Sequence, residues 1–411
     1  MKNIAISALI SSITLFASNS FAGPTLDTSF GSNGVVVLPG VVANSEMGVV
    51  ILPDGKIFAS VSSSAPPSTP PVTGYFVQLL PDGALDSSFP GGGIEPTSVF
   101  SLGATPTFLP NGQFLLADAA GVLNRFNANG TVDSSFQADP PTIAGSIGPM
   151  VIFHVLVLPN GQILAAGLIE FPTPPKTGSV EGAFARFNAN GSLDTTFGQG
   201  GSVLIPSVTS VTGFVQIAVD VDGSILAIVG LGSPPVIHLT ANGTPEAVSV
   251  IGPLQTEVVS SNGVIFQSNG DILVAGVDAI SKAIHEPQLG RITVTGAADP
   301  TFSSPAFNWG TVNSVWNYPD TVAVEANGTI AMGGLAETSS QTDFGFAEFE
   351  ANGSLETSFG TGGYTNTAIS SLDEIEAIAV QPADGKIVAV GFGRASGQID
   401  GQLEVVRYVA P

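Results

Sequence analysis

The feature that most constrains the fold of this chain is a degenerate repeat that recurs from residue 26 to the last residues. Its best copy is FARFNANGSLDTTFGQGG, residues 184–201. Every copy has a turn glycine and an acidic residue three positions later, and all but one have Phe six positions later. The turn glycines are Gly83, Gly130, Gly191, Gly243, Gly296 and Gly353. The copy at Gly243 has Ser249 in place of Phe and is the weakest.

A second signature alternates with the first and places Asp-Gly or Asn-Gly between two apolar runs, as in ILPDGKI and VLPNGQI. These dipeptides are strong hairpin signals because both residues tolerate a positive φ. The glycines of this signature are Gly55, Gly112, Gly161, Gly223, Gly270, Gly328 and Gly385. A period of about 55 residues made of short apolar strands and Gly-rich turns is typical of a β-propeller. We therefore predict an all-β fold, a propeller of seven four-stranded blades, in a single domain over residues 23–411.

The two ends of the chain carry complementary parts of the repeat. Residues 26–30 (LDTSF) have its second half without the preceding strand, and residues 403–408 (LEVVRY) have that strand without the second half. A ring closed by pairing of the N- and C-terminal segments would leave no open sheet edge. We therefore expect Arg407 to lie close to Asp27.

At LDTTFGQGG, LETSFGTGG and QPADGKIVAVG the chain resembles the delta-60 repeat family of bacterial tandem-repeat proteins. The resemblance covers nearly all of residues 24–411 and departs from the family pattern at residues 244–249 (TPEAVS) and, more weakly, around Gly296. It implies a β-propeller-like repeat of uncharacterised function, and it provides no catalytic residues to transfer.

Residues 1–22 have one cation, an apolar run, and the small residues Ser20 and Ala22 before a cleavage point. This pattern is typical of a secretory signal peptide, so we predict cleavage after Ala22 and a secreted or periplasmic protein. No later stretch is long and apolar enough for a membrane-spanning helix, and no membrane insertion is expected. The chain contains no cysteine, so an exported protein of this sequence would depend on its core for stability.

The chain is strongly acidic, with 33 Asp and Glu against 10 Lys and Arg and a net charge of −23. Phosphate backbones and anionic lipid surfaces bind cationic proteins, so neither nucleic acid nor a membrane surface is an expected partner. A protein or glycan partner and a monomeric state are expected instead.

Four arginines occupy the same strand position of the repeat, and an acid occupies a fixed position after it. The predicted pairs are Arg125 with Asp133, Arg186 with Asp194, Arg291 with Asp299, and Arg407 with Asp27. One interpretation is a ring of arginines that binds an anion in a central channel. The other is a set of structural ion pairs, and the fixed spacing favours it, because a partly buried Arg needs a partner that matches its fork of donors.

No residue pattern specifies a catalytic, cofactor or metal site. The three histidines form no HExxH motif, and there is no GxSxG nucleophile elbow. The DVDG run at Asp220–Gly223 lacks the other ligands of a calcium loop, which makes calcium a weak candidate. Outside the repeat, Trp309, Trp316 and Tyr318 suit a sugar ring or a protein partner. The alternative, in which they fill a gap between two blades, is favoured.

These observations predict a non-catalytic exported binding or scaffold protein. Its partner would contact either the face that carries the Pro-rich loops at residues 62–72 and 170–182 or the Trp-bearing connection. The alternative is a propeller hydrolase or lyase that acts on a carbohydrate or a lactone. That alternative requires three or more carboxylates or histidines from different blades in one pocket.

Overall fold

The structure of the protein is a computed structural model. It describes residues 25–409 except for 44, 64–73, 100–104, 119, 139, 174–175, 210–214, 221, 230–234, 251–255, 259–262, 279–284, 295, 306, 311–316 and 399. The described residues form β-strands and one 3₁₀ turn at Pro90–Gly92, and none of them belongs to a helix long and apolar enough to cross a membrane.

The strands of the first half of the chain are β1 (Val35–Ala43), β2 (Ser45–Ile51), β3 (Ile57–Ser62), β4 (Gly74–Leu79), β5 (Ile94–Thr97), β6 (Thr107–Phe108), β7 (Phe114–Ala117), β8 (Leu123–Phe126), β9 (Val151–Val157), β10 (Ile163–Thr173), β11 (Lys176–Phe187) and β12 (Ser202–Thr209). Those of the second half are β13 (Val215–Val219), β14 (Ile225–Val229), β15 (Pro235–Leu239), β16 (Pro245–Val250), β17 (Thr256–Val258), β18 (Val264–Phe266), β19 (Ile272–Asp278), β20 (Pro287–Ile292), β21 (Tyr318–Val324), β22 (Ile330–Glu337), β23 (Thr342–Phe349), β24 (Tyr364–Thr367), β25 (Leu372–Val380), β26 (Ile387–Arg394) and β27 (Gly401–Tyr408).

Consecutive strands pair into antiparallel sheets. The sheets are β2–β5, β6–β8, β9–β12, β13–β16 and β17–β20, followed by one continuous sheet of eight strands. One half of the eight-stranded sheet is β21–β24, and the other is β25–β27 with β1. A single parallel pair between Thr342 and Leu372 joins the two halves.

The propeller class is confirmed, but the prediction of seven four-stranded blades is wrong. Among the described residues, five sheets stand alone as blades, four of them with four strands and one with three. The three-stranded sheet, β6–β8, is followed by an irregular segment that contains Pro140 and Pro141, and proline cannot donate to a strand ladder. The other eight strands do not separate into blades because the parallel pair links them.

Apolar side chains between successive sheets form the core. Phe58 and Phe76 of the β2–β5 sheet pack against Phe114 of the β6–β8 sheet, with ring centroids 5.0 and 5.1 Å apart. Val49 of β2 belongs to one cluster with Val390 of β26, so the first sheets also pack against the last ones. The sheets therefore form a closed ring. A strand packed on both faces is buried along its whole length, as β3 is.

The N- and C-terminal segments close the ring by direct pairing. Strand β1 runs antiparallel to β27, from Val35 opposite Val406 to Ala43 opposite Gly401. Leu26 extends this pairing by a bridge to Tyr408. Both segments thus belong to the eight-stranded sheet.

The two ends of the ring differ in character. Strands β2, β9, β13, β18, β21 and β25 line a central channel and are called the inner strands. Repeated Asp-Gly and Asn-Gly turns leave the inner strands at one end of the ring, which we call the turn face. The inner strands begin at the opposite end, which we call the loop face. The connection into β21 lies there beside the loop after β22, where the Glu337 N–H donates to Asn317 Oδ1 at 2.9 Å.

Candidate functional site at the channel mouth

The central channel contains a cavity of ≈ 480 Å³. Its lining is mostly apolar and includes Phe153, Ile217, Phe266, Val322 and Ile378. A cavity of this size and character is within the range of small-molecule sites.

Polar groups in the channel wall connect neighbouring inner strands. The Ile217 N–H donates to His154 Nδ1 at 3.3 Å, and the Ile378 N–H donates to Thr321 Oγ1 at 3.3 Å. Burial lowers the pKa of His154 to about 4, so the ring is neutral at pH 7 and can accept this bond. These hydrogen bonds connect neighbouring inner strands and so stabilise the ring.

A β-bulge interrupts three inner strands close to the loop face. In each strand the pairing register skips one residue between two paired neighbours, and these residues are Phe153 in β9, Asp320 in β21 and Glu376 in β25. Strand β2 has the same irregularity at residue 46. A bulge bends its strand and changes the direction of a side chain, which is why bulges are common beside functional sites.

Glycine opposite each bulge makes the bend possible. A Cβ atom added to Gly167, Gly334 or Gly391 would lie 1.9, 2.0 or 1.9 Å from a carbonyl oxygen of the bulged strand. The sequences ILAAG, IAMGG and IVAVG each end in one of these glycines. A side chain at these positions would push the two strands apart, so the glycines help to set the shape of the channel mouth.

Asp320 of β21 lies near Glu374 and Glu376 of β25 at the loop-face end of these inner strands, which we call the channel mouth. Burial raises the pKa of Asp320 well above its usual value, and the nearby Glu374 and Glu376 raise it further. Burial also raises the pKa of Glu374 to about 7, while the Arg394 guanidinium favours its ionised form. Burial and the repulsion of like charges therefore favour the protonated form of Asp320.

Several buried polar atoms at the channel mouth have no hydrogen-bond partner within the part of the chain that the structure describes. They are His285 Nδ1, Asp320 Oδ2 and Arg394 Nε. The His285 ring contacts the Tyr318 ring with centroids 4.8 Å apart, and Tyr318 lies two residues before Asp320. Buried polar groups normally have partners, so these atoms indicate a place where a ligand or water binds.

The three aromatic residues that the sequence offers as a contact site, Trp309, Trp316 and Tyr318, differ in their positions in the structure. Trp309 is only 1% exposed, and its indole N–H donates to the Leu335 carbonyl at 3.0 Å. Its ring packs against Gly345 between two sheets, which is the arrangement of the favoured interpretation, in which these aromatic residues fill a gap between blades. Trp316 lies outside the described residues. Tyr318 is half-buried at the channel mouth.

The structure brings each predicted arginine together with its acid. The nitrogen-to-oxygen distances are 2.8 Å for Arg125–Asp133, 2.7 Å for Arg186–Asp194, 2.7 Å for Arg291–Asp299 and 2.8 Å for Arg407–Asp27. All four pairs lie at the turn face, so these arginines do not line the channel. This arrangement is that of structural ion pairs.

Each of these arginines also joins its own sheet to the next one. Arg186 lies over the Phe197 ring at 4.7 Å and donates to the Ala241 carbonyl of the following sheet at 2.6 Å. The same stacking occurs at Arg125, Arg291 and Arg407, whose acceptors are the carbonyls of Ala189, Ala351 and Pro81. We call this set of arginine, acid, phenylalanine and carbonyl a clasp. The sequence indicates the clasp through the fixed Phe six residues after the turn glycine. It does not indicate that the arginine reaches across to a carbonyl of the next sheet.

The acidic run at Asp220–Gly223 forms a turn. Asp222 Oδ1 accepts hydrogen bonds from the backbone N–H and the hydroxyl of Ser224 at 2.9 and 2.7 Å. Across the described ranges, no group of three or more His, Asp and Glu side chains is arranged to hold a metal ion.

The ring of sheets around a channel defines a β-propeller. Three segments, residues 52–89, 158–197 and 325–359, match the family model of a β-propeller domain of unknown function, DUF5122. Each matched segment runs from an Asp-Gly or Asn-Gly turn to the Phe of the following motif, and residues 158–197 include Arg186, Asp194 and Phe197 of one clasp. No curated protein matches the chain with significant similarity.

Solved structures of similar fold include a puromycin hydrolase, with 13% identity over 90% of this chain and 55% of that chain and a TM-score of 0.50. A glucose dehydrogenase has 13% identity over 73% of this chain and 94% of its own, with a TM-score of 0.40. A protein of unknown function from Dyadobacter fermentans has 11% identity over 92% of this chain and 100% of its own, with a TM-score of 0.41. At such identities the similarity concerns the fold alone.

Proposed function

We propose that this protein is an exported, non-catalytic binding protein whose ligand enters from the loop face and binds at the channel mouth. The observation that carries the proposal is that Asp320, a bulge residue of β21, lies near Glu374 and Glu376 of β25, and that both strands also line an apolar cavity of ≈ 480 Å³. An apolar pocket with a few polar groups at its entrance is the usual form of a ligand site. A small molecule, or the end of a glycan or protein chain, fits this description.

The division of charge between the two faces supports this choice. Arginines of the repeat are engaged in clasps at the turn face, where they hold the ring together. The loop face has the irregular connections and the buried acids that the repeat does not explain. In repeat proteins of this kind, recognition belongs to the surface that departs from the repeat.

Export is supported by residues 1–22, which have the pattern of a secretory signal peptide. A glycan or a protein partner remains the expected ligand source for an exported acidic protein. Its positively charged or hydrogen-bond-donating groups would be the ones placed against Asp320.

The test is a screen of the melting temperature of the full chain against neutral oligosaccharides, benzylamine and spermidine. A ligand at 100 times its Kd would stabilise the folded state by about 2.7 kcal/mol, since only the native form binds it. Asp320→Asn should abolish the shift, while Asp222→Asn, an exposed turn-face carboxylate, should leave it unchanged. The proposal fails if no compound shifts the midpoint, or if the shift persists in Asp320→Asn.

A hydrolase or lyase acting on a carbohydrate or a lactone is the second candidate. The pKa of Glu374 at about 7 favours it, because a carboxyl group that titrates near neutral pH can act as a general acid. The acids also come from both halves of the eight-stranded sheet, with His285 near them from a third set of strands. Turnover of nitrophenyl glycosides or of a simple lactone that is lost in Glu374→Gln and kept in Asp222→Asn would establish this candidate over the first.

A further inference from the structure

The clasp between the β2–β5 sheet and the β6–β8 sheet lacks its arginine. The position that holds arginine in four other copies is occupied by Gln78. The remaining members of the clasp are all present: Asp86, Ser88, Phe89 and Ala128 stand where Asp194, Thr196, Phe197 and Ala241 stand around Arg186.

Gln78 reproduces only the inner part of the missing arginine. Its Nε2 donates to Asp86 Oδ2 at 2.8 Å, as Arg186 Nε does to Asp194 Oδ2 at 2.7 Å. The Gln78 side chain ends at this amide, so it has no counterpart of the two terminal nitrogens of the arginine guanidinium. A cleft of ≈ 520 Å³ lies there, and Gln78, Ser88, Phe89 and Ala128 are among the residues that line it.

The local charge is one cation short of that in the closest matching clasp. Around Arg407, the Asp27 carboxylate contacts both Arg407 at 2.8 Å and Lys386 at 3.0 Å, and Lys386 also contacts Asp384. Around Gln78, Lys56 contacts Asp86 at 3.0 Å and Asp54 at 3.3 Å. Two acids and one lysine are therefore common to both places, and the Arg407 clasp shows that a lysine on the carboxylate leaves room for a guanidinium.

The other positions without arginine do not keep the clasp. The copy with His238 has Ser249 in place of the phenylalanine. The copy with Glu348 has an acid in the arginine position itself. Among the described copies that lack arginine, the one at Gln78 retains an acid, a hydroxyl, an aromatic ring and a carbonyl in the arrangement that holds a guanidinium elsewhere in this molecule.

We propose that the cleft beside Gln78 binds the guanidinium group of an external ligand, either an arginine side chain of a partner protein or a free guanidino compound. The bound group stacks on Phe89, donates to the Ala128 carbonyl and to Ser88 Oγ, and balances the charge of Asp54 and Asp86. This site lies at the turn face, so it is separate from the channel mouth and does not depend on the function proposed for it.

Binding of N-ethylguanidinium to the full chain tests the proposal, with N-ethylurea as a neutral compound of the same shape. Ligand-observed NMR should show saturable binding of the cation at concentrations up to about 10 mM, at least about tenfold tighter than that of the urea. Gln78→Arg should abolish binding because the protein's own guanidinium then fills the clasp, and it should raise the melting temperature. Gln78→Ala leaves the cleft open and should still bind.

The tripeptide Gly-Arg-Gly distinguishes the two sources of the ligand, a protein side chain and a free guanidino compound. Gly-Arg-Gly should bind at least about tenfold more tightly than N-ethylguanidinium if the site recognises a protein side chain, and equally if it recognises the head group alone. Asp320→Asn should leave both affinities unchanged, so a failure at the channel mouth does not affect this result. The inference is overturned if N-ethylguanidinium does not bind, if the urea binds equally well, or if Gln78→Arg binds as the wild type does.

Discussion

Removal of one clasp arginine should show how much of the stability of the ring depends on these contacts. Arg186→Ala deletes four contacts at once: the ion pair to Asp194, the stacking on Phe197, and the hydrogen bonds to the Ala241 carbonyl of the next sheet and to Thr196 Oγ1. Asp194 is only 7% exposed, so the substitution leaves a nearly buried carboxylate without its cation.

The expected cost is about 3 kcal/mol, the lower end of the range for breaking a buried ion pair from one side. Burial opposes ionisation of Asp194, but hydrogen bonds from Thr196 and the Arg186 guanidinium outweigh it and lower the pKa to about 2. The hydrogen bonds from Thr196 to Asp194 survive the substitution, which keeps the cost from being larger. With an entropy of unfolding of about 2.1 cal/mol/K per residue, 3 kcal/mol corresponds to a fall in melting temperature of about 4 °C for a chain of this length.

Calorimetry or circular dichroism of the full chain measures this fall, and Arg186→Gln is the matched control. Glutamine in that slot should keep the bond to the carboxylate, as Gln78 does with Asp86 at 2.8 Å, and should lose about half as much stability. In a double-mutant cycle with Asp194→Asn, the second change should cost less in the Arg186→Ala background than in the wild type. A loss below about 1 kcal/mol, or additive single changes, would show that the clasps are surface ion pairs of little consequence.

Three further outcomes are expected. Burial, with Glu325 and Glu356 nearby, raises the pKa of Glu348 from 4.5 to about 8. The stability that protonated Glu348 contributes is therefore complete below its unfolded pKa of 4.5 and is lost as pH rises through its folded pKa of about 8. Glu348→Gln should therefore flatten the fall in melting temperature between about pH 5 and about pH 9, and an unchanged profile would contradict the assignment. Gly391→Ala should destabilise the fold by about 3 kcal/mol or more in denaturant titrations, because the new Cβ would lie 1.9 Å from the Glu374 carbonyl oxygen, whereas Gly148→Ala has nothing within 4 Å and should be neutral. Mass spectrometry of protein exported from a bacterial host should find a chain that begins at Gly23, and an intact N-terminus on exported protein would refute the predicted cleavage.

Much of the architecture can be predicted from the repeat because each repeated residue has one local task. Turn glycines such as Gly191, at a φ of 94°, mark the hairpins, and the fixed spacing of Arg186 and Asp194 marks the ion pair. The number of free-standing blades could not be predicted in this way. It depends on Pro140 and Pro141, which follow the β6–β8 sheet, and on the pairing of Thr342 with Leu372 in the eight-stranded sheet. Neither feature belongs to the repeat.

The channel mouth was not predicted for the same reason. Asp320 and Glu376 stand in no repeat slot, and the directions of their side chains depend on bulges in two neighbouring inner strands. Gly334 and Gly391 are the sequence trace of those bulges, but a glycine after an apolar run has many explanations in a chain with 50 glycines. Two roles remained open for Trp309 at the level of sequence, because a large aromatic residue outside a repeat can serve packing as well as recognition.

The pairing of β1 with β27 has a consequence for the order of events during biosynthesis. Asp27 and Arg407 are 380 residues apart, and closing a loop of that length costs about 5 kcal/mol of chain entropy. During translation β27 emerges after all the other described strands, so β1 waits unpaired until the end. In that interval β1 can accept the β27 of a neighbouring molecule, and two chains that exchange these strands would form an interlocked dimer. We expect the yield of monomer on refolding to decrease as protein concentration increases, with dilution favouring closure within one chain.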